Sequence, residues 1–125
     1  MHPDQLRSYP ARKAVTFTAF SSPDAAGATR INAETRREVF LIFKEAVNNL
    51  VRHSRCSKAE VALAIDHKTL VLEVSDDGGG FDPERPRAGE GLASMRRRAG
   101  KIAGAVEFIS KPGAGATVRL KARMN

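Results

Sequence analysis

A chain of 125 residues has room for one domain around one core. Its 42% hydrophobic and 28% charged residues are ordinary for a soluble protein, and its apolar runs are far too short to cross a bilayer, which excludes a membrane-spanning chain. Twenty-one Lys and Arg against fourteen Asp and Glu leave a net charge of +7, which favours a polyanionic partner; the cations are scattered and Tyr9 is the lone tyrosine, so no base-stacking platform accompanies them and no nucleic-acid partner is expected.

Residues 1–13 are polar, carry Pro3 and Pro10 and show no periodicity. They read as a flexible lead or linker remnant before a domain over 14–125. They also lack the apolar stretch of a secretory signal, and the single Cys56 has no partner for an internal disulfide, so a reducing, cytoplasmic setting is expected.

"AVTFTAF" (14–20) sets Val15, Phe17 and Ala19 against Thr16 and Thr18, the alternation of a half-buried strand. "SSPDAAGAT" is a loop. Asn32 is placed to cap a helix whose pattern runs from Glu34 to His53. "AEVALAI" (59–65) and "LVLEV" (70–74) alternate on either side of "DHKT" and form a hairpin. "SDDGGGFDPERPRAGEG" (75–91) has too much glycine and proline for regular structure, after which Leu92, Met95, Ala99 and Ile102 recur at helical spacing. "AVEFIS" (105–110) and "ATVRLKAR" (116–123) flank the turn "KPGAG" as a second hairpin. The order predicts an α/β (α+β) two-layer sandwich, a mixed sheet with helices on one face.

In the first helix Glu38, Glu45, Asn49 and Arg52 fall within a band of roughly 60°, with Val39, Phe43, Val47 and Leu50 on the opposite side. A polar stripe of this kind is usually a solvated face. Two details argue for more: Leu41 and Ile42 border the stripe, and Asn48 and Asn49 are poor interior helix residues. An amide oxygen suits one position around Mg²⁺, a hard cation that keeps several waters. Arg52 can meet phosphate oxygens or pair with Glu45 or Glu38.

"SDDGGGF" follows an apolar strand directly, so Asp76 lies where the strand opens into a turn. Three glycines make either a flexible turn or a backbone that a ligand can approach closely. A strand-end carboxylate beside bare backbone can accept a hydrogen bond from an exocyclic amine such as that of adenine. Gly89 and Gly91 precede the second helix, where unpaired N–H groups favour phosphate, and one of Arg96, Arg97 and Arg98 is a candidate to reach it. The Walker and dinucleotide-binding fingerprints are both absent.

Together "KEAVNNLVRHS", "DDGGGF" and "GEGL" resemble the N, G1 and G2 boxes of the ATP-binding domain of bacterial sensor histidine kinases. "GLASMRRRAG" and the short lid are similar to the nitrate- and desaturase-sensor subgroup. The resemblance covers about residues 14–123 and implies the Bergerat fold shared with gyrase, Hsp90 and MutL ATPases. It implies ATP and Mg²⁺ as cofactors, with Asn49 on the metal, Asp76 on the adenine amine, and Arg52 and His53 on the phosphate or ribose side. Gly78 and Gly80 would line the adenine pocket, while Gly89, Gly91 and Leu92 would close over the phosphates through backbone amides. Glu45 matches the N-box glutamate that activates water in the ATPase relatives and is the catalytic candidate beside Asn49. The family's final turn, G-x-G-T, here reads Gly115 then Ala116, a lost hydroxyl costing about 1 kcal/mol, or roughly fivefold in affinity. Thr117, one place on, should face the other side of its strand.

None of His2, His53 and His67 lies in a sequence like the family's phosphoacceptor helix. The resemblance therefore implies transfer to a histidine on a separate dimerisation domain and, beyond it, to a response regulator. It also implies that the isolated domain is a monomer and the parent kinase a homodimer. The alternatives are a serine kinase of the anti-sigma type and a non-catalytic basic interaction module that binds nucleotide weakly.

Overall fold

The computed structural model of the chain describes residues 14–21, 31–52, 58–80, 91–110 and 113–124. Five strands, β1 (Ala14–Ser21), β2 (Lys58–Asp66), β3 (Thr69–Asp76), β4 (Gly104–Ser110) and β5 (Ala116–Arg123), form one sheet in the order β1-β2-β3-β5-β4. Helix α1 (Ala33–Arg52) links β1 to β2, and α2 (Leu92–Gly100) precedes β4. β1 and β2 are parallel, as a strand pair joined through a helix can be, and every other pairing is antiparallel. The expected strands and helices all occur, with ends within two residues of those read from the alternation.

Alternation decides which face of the sheet is dry. Leu70, Leu72 and Val74 of β3 stand opposite Ala122, Leu120 and Val118 of β5, and Ala59 and Val61 of β2 continue the same face. All are buried. Both helices lie over this side, α1 against β3 and α2 against β4 and α1, and Ile42, Leu70, Met95, Leu120 and Met124 are the largest side chains fully enclosed. Each such burial contributes on the order of 1.5–3 kcal/mol. The predicted two-layer mixed α/β sandwich is therefore the observed one.

Asn32 caps α1 as anticipated, its Oδ1 accepting the Thr35 N–H at 2.8 Å. The buried arc of the helix, however, runs through Thr35, Glu38, Ile42, Ala46 and Leu50, whereas Val39, Phe43 and Val47 are only half-buried. Its centre is displaced from the expected apolar side towards the polar stripe. The reason is α2, which packs on that flank and brings a cation to meet the stripe's first carboxylate: Arg98 Nη1 donates to Glu38 Oε1 at 2.8 Å, with Glu38 only 3% exposed.

The hydrogen bond from Arg98 holds the Glu38 carboxyl below the usual glutamate range against the opposing effect of burial, aided by the charges of Lys101, Arg98 and Arg37. A carboxyl depressed in the folded state contributes stability that is present above its unfolded value of about 4.3 and is lost as pH falls through the folded value. Urea midpoints of the native chain should fall as pH drops from about 5 towards 3. Those of Glu38→Gln should start lower at neutral pH and fall less steeply across that window; parallel curves would exclude the pair as the source.

Candidate functional site

Several of the singled-out residues gather at one end of the sheet. Leu50 in the last turns of α1 and Ala59 at the start of β2 belong to the same buried core. Ala59 is in register with Asp76 at the end of β3. Two bonds pin this end: the Asp77 N–H donates to the Lys58 carbonyl at 3.1 Å, and the Lys58 N–H to Asp77 Oδ1 at 2.9 Å. Asp77 is thus committed to the scaffold.

Asp76 shares its side of the sheet with Leu70, Leu72 and Val74, so its side chain points to the helix layer rather than away from it. Its Oδ1 accepts the Gly78 N–H at 2.8 Å, which closes the turn after the strand and orients the carboxylate. The glycine stretch does not hang free, because the Gly115 N–H donates to the Gly78 carbonyl at 3.0 Å and the Gly113 N–H to the Gly79 carbonyl. Gly115, at φ 77°, presses so closely on Asp76 that a Cβ there would overlap the Asp76 carbonyl oxygen. Neither the contact nor the role of Gly115 was legible in the sequence. The only signal was the second glycine pair, "GAG", facing the first.

Ala116 is in register with Asp76, and Thr117 with Ser75 on the opposite face. The residue in register with Asp76 thus carries no hydroxyl, and Thr117 lies on the other face of β5. Ser110, across from Ala116 on β4, turns its hydroxyl to the Gly115 carbonyl at 2.7 Å.

The remaining part of the site is the start of α2. Gly91 is the N-cap residue at φ 72°, and no side chain caps this end, which leaves first-turn N–H groups for a ligand or water. Glu45 of α1 lies directly over Gly91: a Cβ there would come within 2.6 Å of Glu45 Cδ. A carboxylate near a helix N-terminus is favoured by the dipole, and an incoming phosphate would be favoured for the same reason. Gly91→Ala should therefore weaken nucleotide binding by displacing Glu45 and by forcing alanine into a left-handed conformation that costs about 1–2 kcal/mol. Calorimetric titration of Gly91→Ala and of Gly91→Ala with Glu45→Ala should recover part of the loss in the double variant; identical losses would mean Glu45 does not matter there.

Asn49, one turn beyond Glu45, is half-buried and held by another interaction, while its Oδ1 is buried and accepts no hydrogen bond from the described residues. A buried amide oxygen in that state fits a cation better than it fits a dry core. Among the described residues no group of three or more His, Cys, Asp or Glu side chains could hold a metal ion.

Leu92 is buried in the core at the first turn of α2, and Gly78 and Gly80 lie in the turn after β3. His53, Gly89 and the Arg52 side chain lie outside the described residues. The arginine run is not where it was expected. Arg97 and Arg98 occupy the last turn of α2, away from Gly91, with Arg98 on Glu38, and Arg96 stands 5.0 Å over the Phe108 ring. The helix begins at Leu92 and is only nine residues long, so the run lies in its C-terminal half, with Arg96 and Arg97 exposed and Arg98 paired to Glu38.

Residues 34–125 match the Histidine kinase-, DNA gyrase B-, and HSP90-like ATPase family. The chain is 39% identical over 94 residues to the sensor histidine kinase LiaS of Bacillus subtilis (strain 168), covering 74% of this chain and 26% of that protein. It is 34% identical over 88 residues to the sensor protein VraS of Staphylococcus saprophyticus, covering 70% and 25%. It thus spans about a quarter of the length of the curated relatives it matches. Among solved structures, the Acinetobacter baumannii histidine kinase AdeS superposes with a TM-score of 0.67 at 18% identity, over 98% of this chain and 58% of that one. The nucleotide-free catalytic domain of histidine kinase ThkA gives 0.64 at 14%, over 87% and 78%. At these identities the structural likeness speaks for the fold.

Proposed function

Because the chain belongs to the Histidine kinase-, DNA gyrase B-, and HSP90-like ATPase family, we propose that it is the ATP-binding catalytic domain of a sensor histidine kinase acting in two-component signalling. In this reading it binds Mg-ATP and supplies the γ-phosphoryl group to a histidine on a separate dimerisation domain. The observation that carries the reading is the packing of Glu45 on Gly91, which joins the middle of α1 to the open N-terminus of α2. LiaS and VraS, named as sensor proteins, support the signalling context.

Asp76 accepts the adenine amine, its orientation held by the Gly78 N–H, with Gly78 and Gly80 leaving the pocket wall bare. Amides at Gly89, Gly91 and Leu92 donate to the phosphates, and Arg52 and His53 lie on the phosphate or ribose side. Asn49 holds Mg²⁺, which when bound offsets the charge of the triphosphate. Catalysis by such a site is chiefly positioning and charge stabilisation. The bond from the γ-phosphorus to the ADP oxygen breaks as a bond to an imidazole nitrogen forms, and a carboxylate takes the imidazole proton. Glu45 is a candidate for the proton-handling step where water is the nucleophile. The domain acts in the cytoplasm, is a monomer when isolated and belongs to a homodimeric parent kinase, and the phosphohistidine serves a response regulator.

Titration with a non-hydrolysable ATP analogue should give Mg²⁺-dependent affinity in the native chain. Asn49→Ala should lose that dependence by about tenfold, one charge-assisted contact, while keeping metal-free binding. Mg²⁺-independent binding by the native chain would refute the metal assignment. Addition of a dimerisation domain bearing its histidine should yield acid-labile phosphate; acid-stable phosphate on a protein partner would favour the serine kinase.

A further inference from the structure

The end of the sheet opposite Asp76 carries a second, chemically distinct surface. A cleft of about 720 Å³ opens there between the β2–β3 turn, the segment joining α2 to β4, and the end of β5. Lys68, Lys121 and Arg123 line it together with His67, and Ala103 and Ala122 form part of its apolar floor.

Its charge is one-sided. Asp66 lies beside the cleft with Oδ1 3.6 Å from His67 Nε2. Lys68, Lys121 and Arg123 have no carboxylate within ion-pair distance among the described residues. The contrast lies on β5 itself: Arg119, two residues before Lys121 on the same face of the strand, is tied to Glu73, whereas Lys121 and Arg123 extend the row without a counter-charge. The walls also carry backbone strain. His67, at φ 54°, and Ala103, at φ 51°, are the non-glycine residues in left-handed conformation among those described, and both face this cleft. At His67 the positive φ is what the two-residue hairpin turn between Asp66 and Thr69 requires.

Independently of the nucleotide site, we infer that this cleft docks an acidic segment of a partner protein. It is too wide and open for a lone anion, and its floor of small apolar side chains suits a peptide that interleaves carboxylates with small residues. The lining holds no Phe, Tyr or Trp on which a base could stack, only the single His67 imidazole, which argues for protein over nucleic acid. Since the cleft and Asp76 lie at opposite ends of β3 and β5, the segment and a nucleotide can be bound at once.

The test is a fluorescence-anisotropy titration with a labelled poly-glutamate octapeptide, alongside oligothymidylate of equal length, at about 0.15 M salt. Lys121→Glu with Arg123→Glu should weaken the peptide about tenfold or more, whereas Arg36→Glu with Lys44→Glu, an equal charge change on the exposed side of α1, should weaken it less than about threefold. Amide NMR shifts on adding the peptide should fall at His67, Lys68 and Ala103, with nucleotide affinity unchanged. Equal losses in the two variants would reduce the effect to net charge and overturn the proposal. So would tighter binding of the oligothymidylate, or shifts scattered over the surface.

Discussion

Gly115→Ala is expected to destabilise the domain by about 2–3 kcal/mol and to lower its Tm by roughly 10 °C. Two costs combine. Alanine at φ 77° pays about 1–2 kcal/mol for the left-handed region, and the new methyl group collides with the Asp76 carbonyl oxygen, which is backbone and cannot swing aside. Relief requires the 113–115 turn to retreat, which breaks the Gly115 N–H bond to the Gly78 carbonyl at about 0.5–1.5 kcal/mol. Gly113 supplies the control. It too is left-handed, at φ 82°, but a Cβ there meets nothing, so Gly113→Ala should pay the conformational cost alone. Thermal unfolding of both variants decides the matter. Equal shifts would mean that the close approach of the two glycine segments contributes nothing.

The same position shows what a one-dimensional reading can and cannot reach. Strand limits were legible because a period of two is a local property: Val61, Leu63 and Ile65 mark one face whatever lies opposite, with Val61 buried and Leu63 and Ile65 half-buried against the core. The capping of α1 by Asn32 was legible for the same reason. Glu38 was not. Helical geometry correctly grouped it with Glu45 and Asn49, but whether a carboxylate is solvated or buried depends on a cation sixty residues away, and only the packing of α2 supplies Arg98. Likewise the two hairpins are local, while the placement of β5 between β3 and β4 depends on pairing across the glycine loop and α2. Gly115 combines both cases, since the residue type signals a special conformation but its partner, Asp76, is known only once β3 and β5 lie side by side.

Asp76→Asn should preserve the fold and cost nucleotide affinity about 2–3 kcal/mol, roughly 30- to 150-fold. The substitution is nearly isosteric, and an asparagine Oδ1 can still accept the Gly78 N–H that orients the native carboxylate, so the turn survives. What changes is the other half of the group. With Oδ1 held by Gly78, the amide turns its NH₂ towards the exocyclic amine of adenine, so that donor faces donor where the carboxylate offered an acceptor. The loss is that of a charge-assisted bond plus an unsatisfied donor set against the purine amine. Ala116 sharpens the effect, because the residue in register with Asp76 on β5 carries no hydroxyl to take over part of the contact. Purine exchange gives the decisive readout. A nucleotide carrying a carbonyl oxygen in place of the amine should bind the native chain poorly and recover affinity towards Asp76→Asn, whose NH₂ can donate to it. If both proteins rank the two nucleotides alike, Asp76 does not read the purine edge.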